Sequence, residues 1–199
     1  ERDFGRVTVE QIKIPIVTNN QISTYIPAKL YIPVDVTESA PAPAVLLLHG
    51  YQNDKDTSAA YALELARRGI VALSMDEYGH GESPIGMRNK GYDQSKSGPE
   101  RYKMFMSFTK LNQSGIDGII DSSMGGTAAF RWLKSQDYVL SDKIGITGHS
   151  MGTWSTYTIA AENPGHAALV IQCGEALGPV FAPDGSVTYK NVLMLQAKY

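Results

Sequence analysis

Residues 44–48 form an unbroken apolar run, Ala-Val-Leu-Leu-Leu. Such a run is typical of a β-strand buried on both faces, as in a parallel sheet covered by helices. A helical pattern then spans Thr57 to Arg68, and a second apolar run spans Ile70 to Met75. Because a strand, a helix and a strand in this order form a right-handed parallel unit, we predict two neighbouring parallel strands here.

The rest of the chain continues this alternation. Two β-branched stretches, one ending at Pro15 and one over 22–32, are separated by Asn19 and Asn20 and predict an antiparallel hairpin. We therefore predict an α/β fold: a mostly parallel, twisted sheet flanked by helices, with an N-terminal hairpin, in a single domain over residues 1–199. Further strands are expected at 143–147, 167–172 and 191–197, and further helices at 122–134 and 150–162.

Composition excludes several classes of protein. With 43% hydrophobic and 19% charged residues in a chain of 199, a large core can be buried. A net charge of -2 provides no basic footprint, so we expect no nucleic-acid partner. The single cysteine, Cys173, excludes an internal disulfide and a cysteine-based zinc site. We expect Cys173 to be a buried small hydrophobe at the end of a strand.

Residues 84–118 interrupt the pattern with several glycines, methionines and aromatic residues. A segment of this length between a strand and a helix is usually functional. We predict a cap-like insertion over the sheet edge, in which Met87 and Tyr92 contribute to an apolar acyl pocket. The alternative is a helix at 100–110 that packs on the core.

The segment Gly148-His149-Ser150-Met151-Gly152 lies between a predicted strand and a predicted helix. This is the context that a G-x-S-x-G turn requires, because the sharp turn lifts the serine hydroxyl above the sheet edge. The helix start also directs backbone N–H groups toward developing negative charge. Ser150 is therefore the candidate nucleophile, and the alternative is a glycine-rich turn with an idle serine.

The segment His49-Gly50-Tyr51-Gln52 directly follows the first buried strand. A loop at this position can supply a second donor to an oxyanion hole, so we predict that the Tyr51 N–H acts together with the Met151 N–H. We interpret His49 as a hydrogen-bonded organiser of the loop. Gln52 is a candidate substrate-binding residue.

Residues 76–83 follow the second buried strand and contain Gly79, His80 and Gly81. The third glycine of a dinucleotide-binding G-x-G-x-x-G motif is absent, which excludes that class of site. His80 is a further candidate substrate-binding residue. The histidines at 49, 80 and 149 lack the i, i+4 spacing of a helical metal-binding pair, so we predict no metal.

Three motifs, in this order, resemble the α/β-hydrolase superfamily, in the part that contains esterases, lipases, dienelactone-hydrolase-like and acyl-peptidase-like enzymes. They are LLLHGYQND at 46–54, MDEYGHGES at 75–83 and GITGHSMG at 145–152. The resemblance implies Ser150 as nucleophile, the Tyr51 and Met151 N–H groups as oxyanion hole, and no cofactor. We expect a carboxylesterase-like serine hydrolase that acts on an ester or thioester of a small, fairly apolar acyl group.

A general base is harder to find. In this superfamily the order is Ser, then Asp or Glu, then His. The single histidine after Ser150 is His166, in a turn that leads into a strand, so we expect it at the wrong sheet edge and on the surface. Asp184 and Glu175 are both candidate acids, although Asp184-Gly185-Ser186 also fits an ordinary turn.

The simplest interpretation is that the natural protein continues past Tyr199, with a further strand, a helix and a histidine-bearing loop. The alternative is a non-catalytic binding or assembly module, or an inactive fragment of a longer hydrolase. An exposed sheet edge would then offer a site for homo-oligomers. Because the chain begins at Glu1 instead of Met, an exported or membrane-tethered protein is slightly favoured over a cytoplasmic one.

Overall fold

The computed structural model describes residues 5–18, 20–77, 80–83, 125–174, 189 and 191–196. Within these ranges, seven strands form one sheet and three helices pack on it. The strands are β1 (Val7–Thr18), β2 (Gln21–Pro33), β3 (Ala42–Leu48), β4 (Val71–Met75), β5 (Val139–His149), β6 (Ala168–Gln172) and β7 (Val192–Leu195). The helices are α1 (Ala59–Arg67), α2 (125–134) and α3 (Gly152–Glu162).

The strand order is β1-β2-β4-β3-β5-β6-β7. Strands β3 to β7 are mutually parallel, whereas β2 is antiparallel to both β1 and β4. This confirms the predicted α/β fold with its N-terminal hairpin. Because the parallel strands point the same way, β3, β4, β5 and β6 all end at one edge of the sheet, where ligands of open α/β sheets bind.

The hairpin is longer than the sequence predicted. Strand β1 does not end at Pro15 but continues to Thr18, and Pro15 lies opposite Tyr25 of β2. Because β1 is an edge strand with a single neighbour, a proline without an N–H can be accommodated there. Strand β5 is also longer than predicted, because it begins at Val139. Its pairing with β3 has a register shift between Ala42 and Ala44 of β3.

The core has two unequal layers, one on each face of the sheet. The larger layer holds the apolar side chains between the sheet and helices α2 and α3, and each fully buried Leu, Ile or Phe contributes about 1.5–3 kcal/mol. Its largest members are Ile14, Ile26, Leu30, Leu46, Leu73, Met75, Phe130, Leu133, Ile144, Ile146 and Ile159. The smaller layer lies under α1 and contains Tyr31, Leu47, Ala62, Ala66 and Ala72.

Cys173 corrects one sequence prediction, because its side chain is exposed and not buried. Strand β6 ends at Gln172, and Cys173 takes a φ of 54° that turns the chain out of the sheet. The side chain therefore does not continue the strand's alternation into the core.

Several predictions fall on residues outside the described ranges. These are the cap-like insertion at 84–118 with Met87 and Tyr92, and the candidate acids Glu175 and Asp184. The insertion and the single-domain assignment therefore stay predictions. Among the described helices, none is long and apolar enough to cross a membrane.

Candidate active site at the carboxyl edge of the sheet

Ser150 occupies a sharp turn between β5 and α3, which we call the elbow (residues 148–152). Its φ is 51°, in the left-handed region that is costly for a residue with a Cβ. Two sets of hydrogen bonds hold this conformation. The Ser150 N–H donates to the carbonyl of Gln172 at 2.9 Å, and its own carbonyl accepts from the N–H and hydroxyl of Thr153 at 3.0 and 2.6 Å.

The glycines of the elbow are required by close packing. A Cβ on Gly148, near the end of β5, would collide with the backbone of Gly152, the first residue of α3. A Cβ on Gly152 would lie 2.7 Å from the carbonyl oxygens of Leu48 and His49, at the end of β3. The elbow and the β3 loop are therefore in backbone contact.

The predicted oxyanion donors lie on these two neighbouring segments. Tyr51 is half-buried in the loop after β3, and Gln52 beside it is exposed with a φ of 63°. Met151 is 95% buried and caps the start of α3, where the first N–H groups have no partner within the helix. Within the described part of the chain, nothing accepts a hydrogen bond from the Met151 N–H.

His49 has both ring nitrogens engaged in the described structure. Its Nε2 accepts from the N–H of Glu77 at 3.1 Å, so the proton lies on Nδ1, which donates to the carbonyl of Gly50 at 2.8 Å. Burial lowers the pKa of His49 despite the hydrogen bond to Gly50. These contacts agree with a role as loop organiser and leave no nitrogen for proton transfer.

A buried ion pair joins the β3 loop to the β4 loop. The Asp76 carboxylate accepts from the backbone N–H and the Nζ of Lys55, at 2.8 and 2.9 Å, and from the Glu82 N–H at 2.9 Å. Burial lowers the pKa of Lys55, but hydrogen bonds to Asp76 and Glu82 outweigh burial and the net pKa is raised. Gly81, at a φ of 55°, passes so close to Asp76 that a Cβ would collide with its carboxyl group.

Glu77 is a functional candidate that the sequence analysis missed. Its side chain is fully buried, and its Oε2 accepts from the Ser155 hydroxyl at 2.7 Å. Burial raises the pKa of Glu77 to about 8, although the Ser155 hydroxyl acts in the opposite direction. One signal could have found it, namely the second of two consecutive acidic residues, Asp76 and Glu77, that follow the apolar run 70–75.

His80 is buried and its ring packs against the rings of His49 and Tyr51. It is 1% exposed, and its ring centroid lies 5.2 Å from that of His49 and 5.8 Å from that of Tyr51. The substrate-binding role of His80 stays a prediction.

None of the four histidines hydrogen-bonds to the Ser150 hydroxyl in the described residues. His166 lies at the opposite edge, since the neighbouring Ala167 N–H donates to Ile144 at the amino end of the paired part of β5. Its predicted surface position is wrong, because His166 is 1% exposed with Nδ1 3.0 Å from the Asn163 carbonyl.

A cavity of about 260 Å³ opens beside the elbow, on the α1 face of the sheet. Its walls combine apolar side chains with polar groups, a composition that suits a small organic molecule. The lining includes Leu47, Leu48, Tyr61, Thr147, His149 and Gln172. No group of three or more potential metal ligands is found among the described residues.

The model of the dienelactone hydrolase family matches residues 26–188, which is most of the chain. No curated protein sequence matches significantly.

Solved structures with a similar fold include a dienelactone hydrolase from Anabaena variabilis, with a TM-score of 0.60 at 17% identity, covering 94% of this chain and 72% of that one. A dienelactone-hydrolase-like promiscuous phosphotriesterase from metagenomic libraries gives a TM-score of 0.68 at 19% identity, covering 96% and 68%. A thermostable carboxylesterase cloned from a metagenomic library gives 0.55 at 17% identity, covering 84% and 47%.

These likenesses support the fold, and the family match covers all three motifs around the carboxyl edge. The elbow, the β3 loop and the β4 loop meet at that edge, as an α/β-hydrolase requires. The chain belongs to the dienelactone hydrolase family, within the α/β-hydrolase superfamily, and is a hydrolase of the ester-cleaving kind.

Proposed function

We propose that this protein is a serine hydrolase that cleaves a small carboxylic ester or thioester through an acyl-enzyme on Ser150. The observation that carries the proposal is the strained elbow. Ser150 has a φ of 51° at the carboxyl end of β5, and the next residue, Met151, starts α3 with an N–H that no described residue accepts. A backbone cost of this kind persists where it serves a site.

In the proposed reaction the Ser150 Oγ attacks the substrate carbonyl carbon. The Met151 and Tyr51 N–H groups stabilise the negative oxygen of the tetrahedral intermediate, and loss of one such donor costs about 10²–10³ in kcat. The alcohol or thiol then leaves, and water hydrolyses the acyl-enzyme.

The reaction needs a general base for the Ser150 proton. We propose that this base is a residue other than Gln172 and Thr153, the described hydrogen-bond partners of Ser150. Asp184 stays the candidate for a carboxylate that orients such a base.

A non-catalytic binding module is the second candidate function. The observation that favours it is that no described histidine hydrogen-bonds to the Ser150 hydroxyl. Without a base, only the modest rate enhancement from binding and from the oxyanion hole would remain.

The two candidates are separated by covalent labelling. The natural protein and its Ser150→Ala variant are treated with a fluorophosphonate probe, and intact mass and p-nitrophenyl acetate hydrolysis are measured. We expect one adduct on the unmodified protein, none on Ser150→Ala, and a loss of at least about 10³ in kcat/KM. Ser135→Ala, which removes an exposed hydroxyl bonded to the Trp132 carbonyl, is the control and should label normally.

Labelling that persists in Ser150→Ala would place the nucleophile elsewhere and overturn the proposal. A natural protein with neither labelling nor hydrolysis at Ser150 would be the binding module instead.

A further inference from the structure

Glu77 is a fully buried acid that the proposed reaction does not use. It lies two residues after Met75, the last residue of β4, and its exposed fraction is 0%. The described structure gives its carboxyl group a single partner, the Ser155 hydroxyl, and leaves Oε1 without one. The neighbouring acid Asp76 is equally buried but accepts three hydrogen bonds, one of them from the Lys55 ammonium. The Asp76 carboxylate is therefore paired with a cation, whereas the described surroundings of the Glu77 carboxyl group contain one hydroxyl donor.

The described groups that face Glu77 provide no positive charge. From the β3 loop it meets the neutral ring of His49, against which His80 packs. On its own loop, the Asp76 carboxylate is bonded to Lys55. From α3 it meets Ser155, and the one charged residue of that helix is Glu162 at its last position. A neutral carboxylic acid is the form that this environment favours.

Glu77 also connects two segments that carry the proposed oxyanion donors. Its backbone N–H donates to His49 Nε2, and the same ring donates from Nδ1 to Gly50, the residue before Tyr51. Its carboxyl group binds Ser155, which lies on α3 one helical turn after Met151.

We propose that Glu77 is a positioning residue that, through its backbone N–H and its carboxyl group, fixes the Tyr51 and Met151 N–H donors relative to each other. This inference rests on the proposed function. Glu77 touches neither substrate nor reacting atoms, so it acts through the geometry of the oxyanion hole, where a displacement of about 1 Å can cost about 100-fold in rate.

Ionisation of Glu77 would break this arrangement. A carboxylate without a cation must recruit water or move, and either change shifts the β4 loop relative to α3. The neutral form is favoured below about pH 8, so the positioning effect is lost as the pH rises through 8.

The test compares Glu77→Gln, which keeps the shape and the acceptor but cannot ionise, with Glu77→Leu, which removes the acceptor. For p-nitrophenyl acetate we measure kcat and KM from pH 6 to 9.5, together with the rate of fluorophosphonate labelling. We expect kcat of the unmodified protein to fall as the pH rises through about 8. Glu77→Gln should lose this alkaline fall and stay within about threefold in kcat at pH 7, whereas Glu77→Leu should lower kcat about tenfold or more at nearly unchanged KM.

Two further variants complete the design. Ser155→Ala removes the donor from α3 and should lower kcat in the same way as Glu77→Leu. Glu162→Gln is the matched control, because this carboxyl also accepts from a hydroxyl, Thr127 Oγ1 at 2.6 Å, but at the far end of α3. Its pH profile should equal that of the unmodified protein.

Thermal unfolding at each pH checks that the variants fold. The stability contributed by the neutral Glu77 is complete below the ordinary carboxyl pKa near 4.5 and is lost as the pH rises toward 8, so Glu77→Gln should show the weaker pH dependence of Tm.

An alkaline fall in kcat that persists in Glu77→Gln, or a Glu77→Leu variant with unchanged kcat and labelling, would overturn the positioning role alone. An unmodified protein that Ser150-directed probes do not label would overturn the proposed function, and the positioning role with it.

Discussion

Backbone strain is concentrated on single residues at the carboxyl edge of the sheet. Five described non-glycine residues have a positive φ, and three of them, Gln52, Ser150 and Cys173, lie in the segments that follow β3, β5 and β6. Each such residue costs about 1–3 kcal/mol. At Ser150 the hydrogen bonds to Gln172 and Thr153 compensate for this cost.

The strain at Ser150 predicts a difference in stability between two variants that lack the proposed nucleophile. Ser150→Ala and Ser150→Gly both remove the hydroxyl, but only glycine adopts a φ of 51° without a Cβ clash. After allowing for the greater chain entropy of unfolded glycine, we expect Ser150→Gly to be more stable than Ser150→Ala by about 1 kcal/mol. Urea unfolding monitored by circular dichroism measures this. Equal midpoints would show that the conformation at Ser150 is not strained.

Between elements, the buried Lys55–Asp76 pair fixes the β3 loop against the end of β4. Both side chains are at least 93% buried, and the Ser74 hydroxyl donates to the Lys55 carbonyl at 2.7 Å. A buried pair of this kind is a weak source of net stability, but breaking it leaves an uncompensated charge. The pair therefore holds the loop that carries Tyr51 in one place.

Lys55→Met tests this connection. The variant keeps most of the side-chain volume but leaves the Asp76 carboxylate without its cation, so we expect a loss of about 3 kcal/mol in the free energy of unfolding. The control is Arg68→Ala, which removes an ion pair with Glu64 whose side chains are 70% and 50% exposed. That variant should change stability by less than about 0.5 kcal/mol. Similar losses in both variants would contradict a special role for Lys55.

At the scale of the molecule, the two edge strands of the described sheet differ in their protection. Strand β1 presents exposed Glu10 and Lys13 and contains Pro15, features that oppose pairing with another chain. Strand β7 consists of Val192, Leu193, Met194 and Leu195, whose exposed fractions are 42%, 53%, 37% and 47%. Among the described residues, β7 is therefore the more apolar and less protected of the two edge strands.

We predict that a protein consisting of residues 1–199 forms a concentration-dependent homo-oligomer through β7. Leu193→Lys places a charge on this edge and should shift the protein toward monomer in analytical ultracentrifugation. Val9→Lys, at an exposed position on β1, is the control and should leave the distribution unchanged. A protein that is monomeric at every concentration, or that Val9→Lys dissociates equally well, would contradict the prediction.

Local sequence was sufficient for the sheet, the hairpin and the elbow. The apolar run in β3 fixes a strand buried on both faces, and Gly148 and Gly152 fit a turn too crowded for a side chain. The apolar run and the glycine spacing are patterns of residues that are neighbours along the chain, so the sequence by itself predicts them. Their order also identifies the superfamily. The contact of Gly152 with Leu48 and His49 is a tertiary one.

The tertiary structure alone decided the environment of individual polar groups. It exposed Cys173, buried His166 and brought Ser155 to Glu77 across 78 positions of sequence. It also paired Lys55 with Asp76 across 21 positions. The burial and the charge state of a side chain depend on contacts between segments that are distant in sequence. A pattern of neighbouring residues does not predict those contacts.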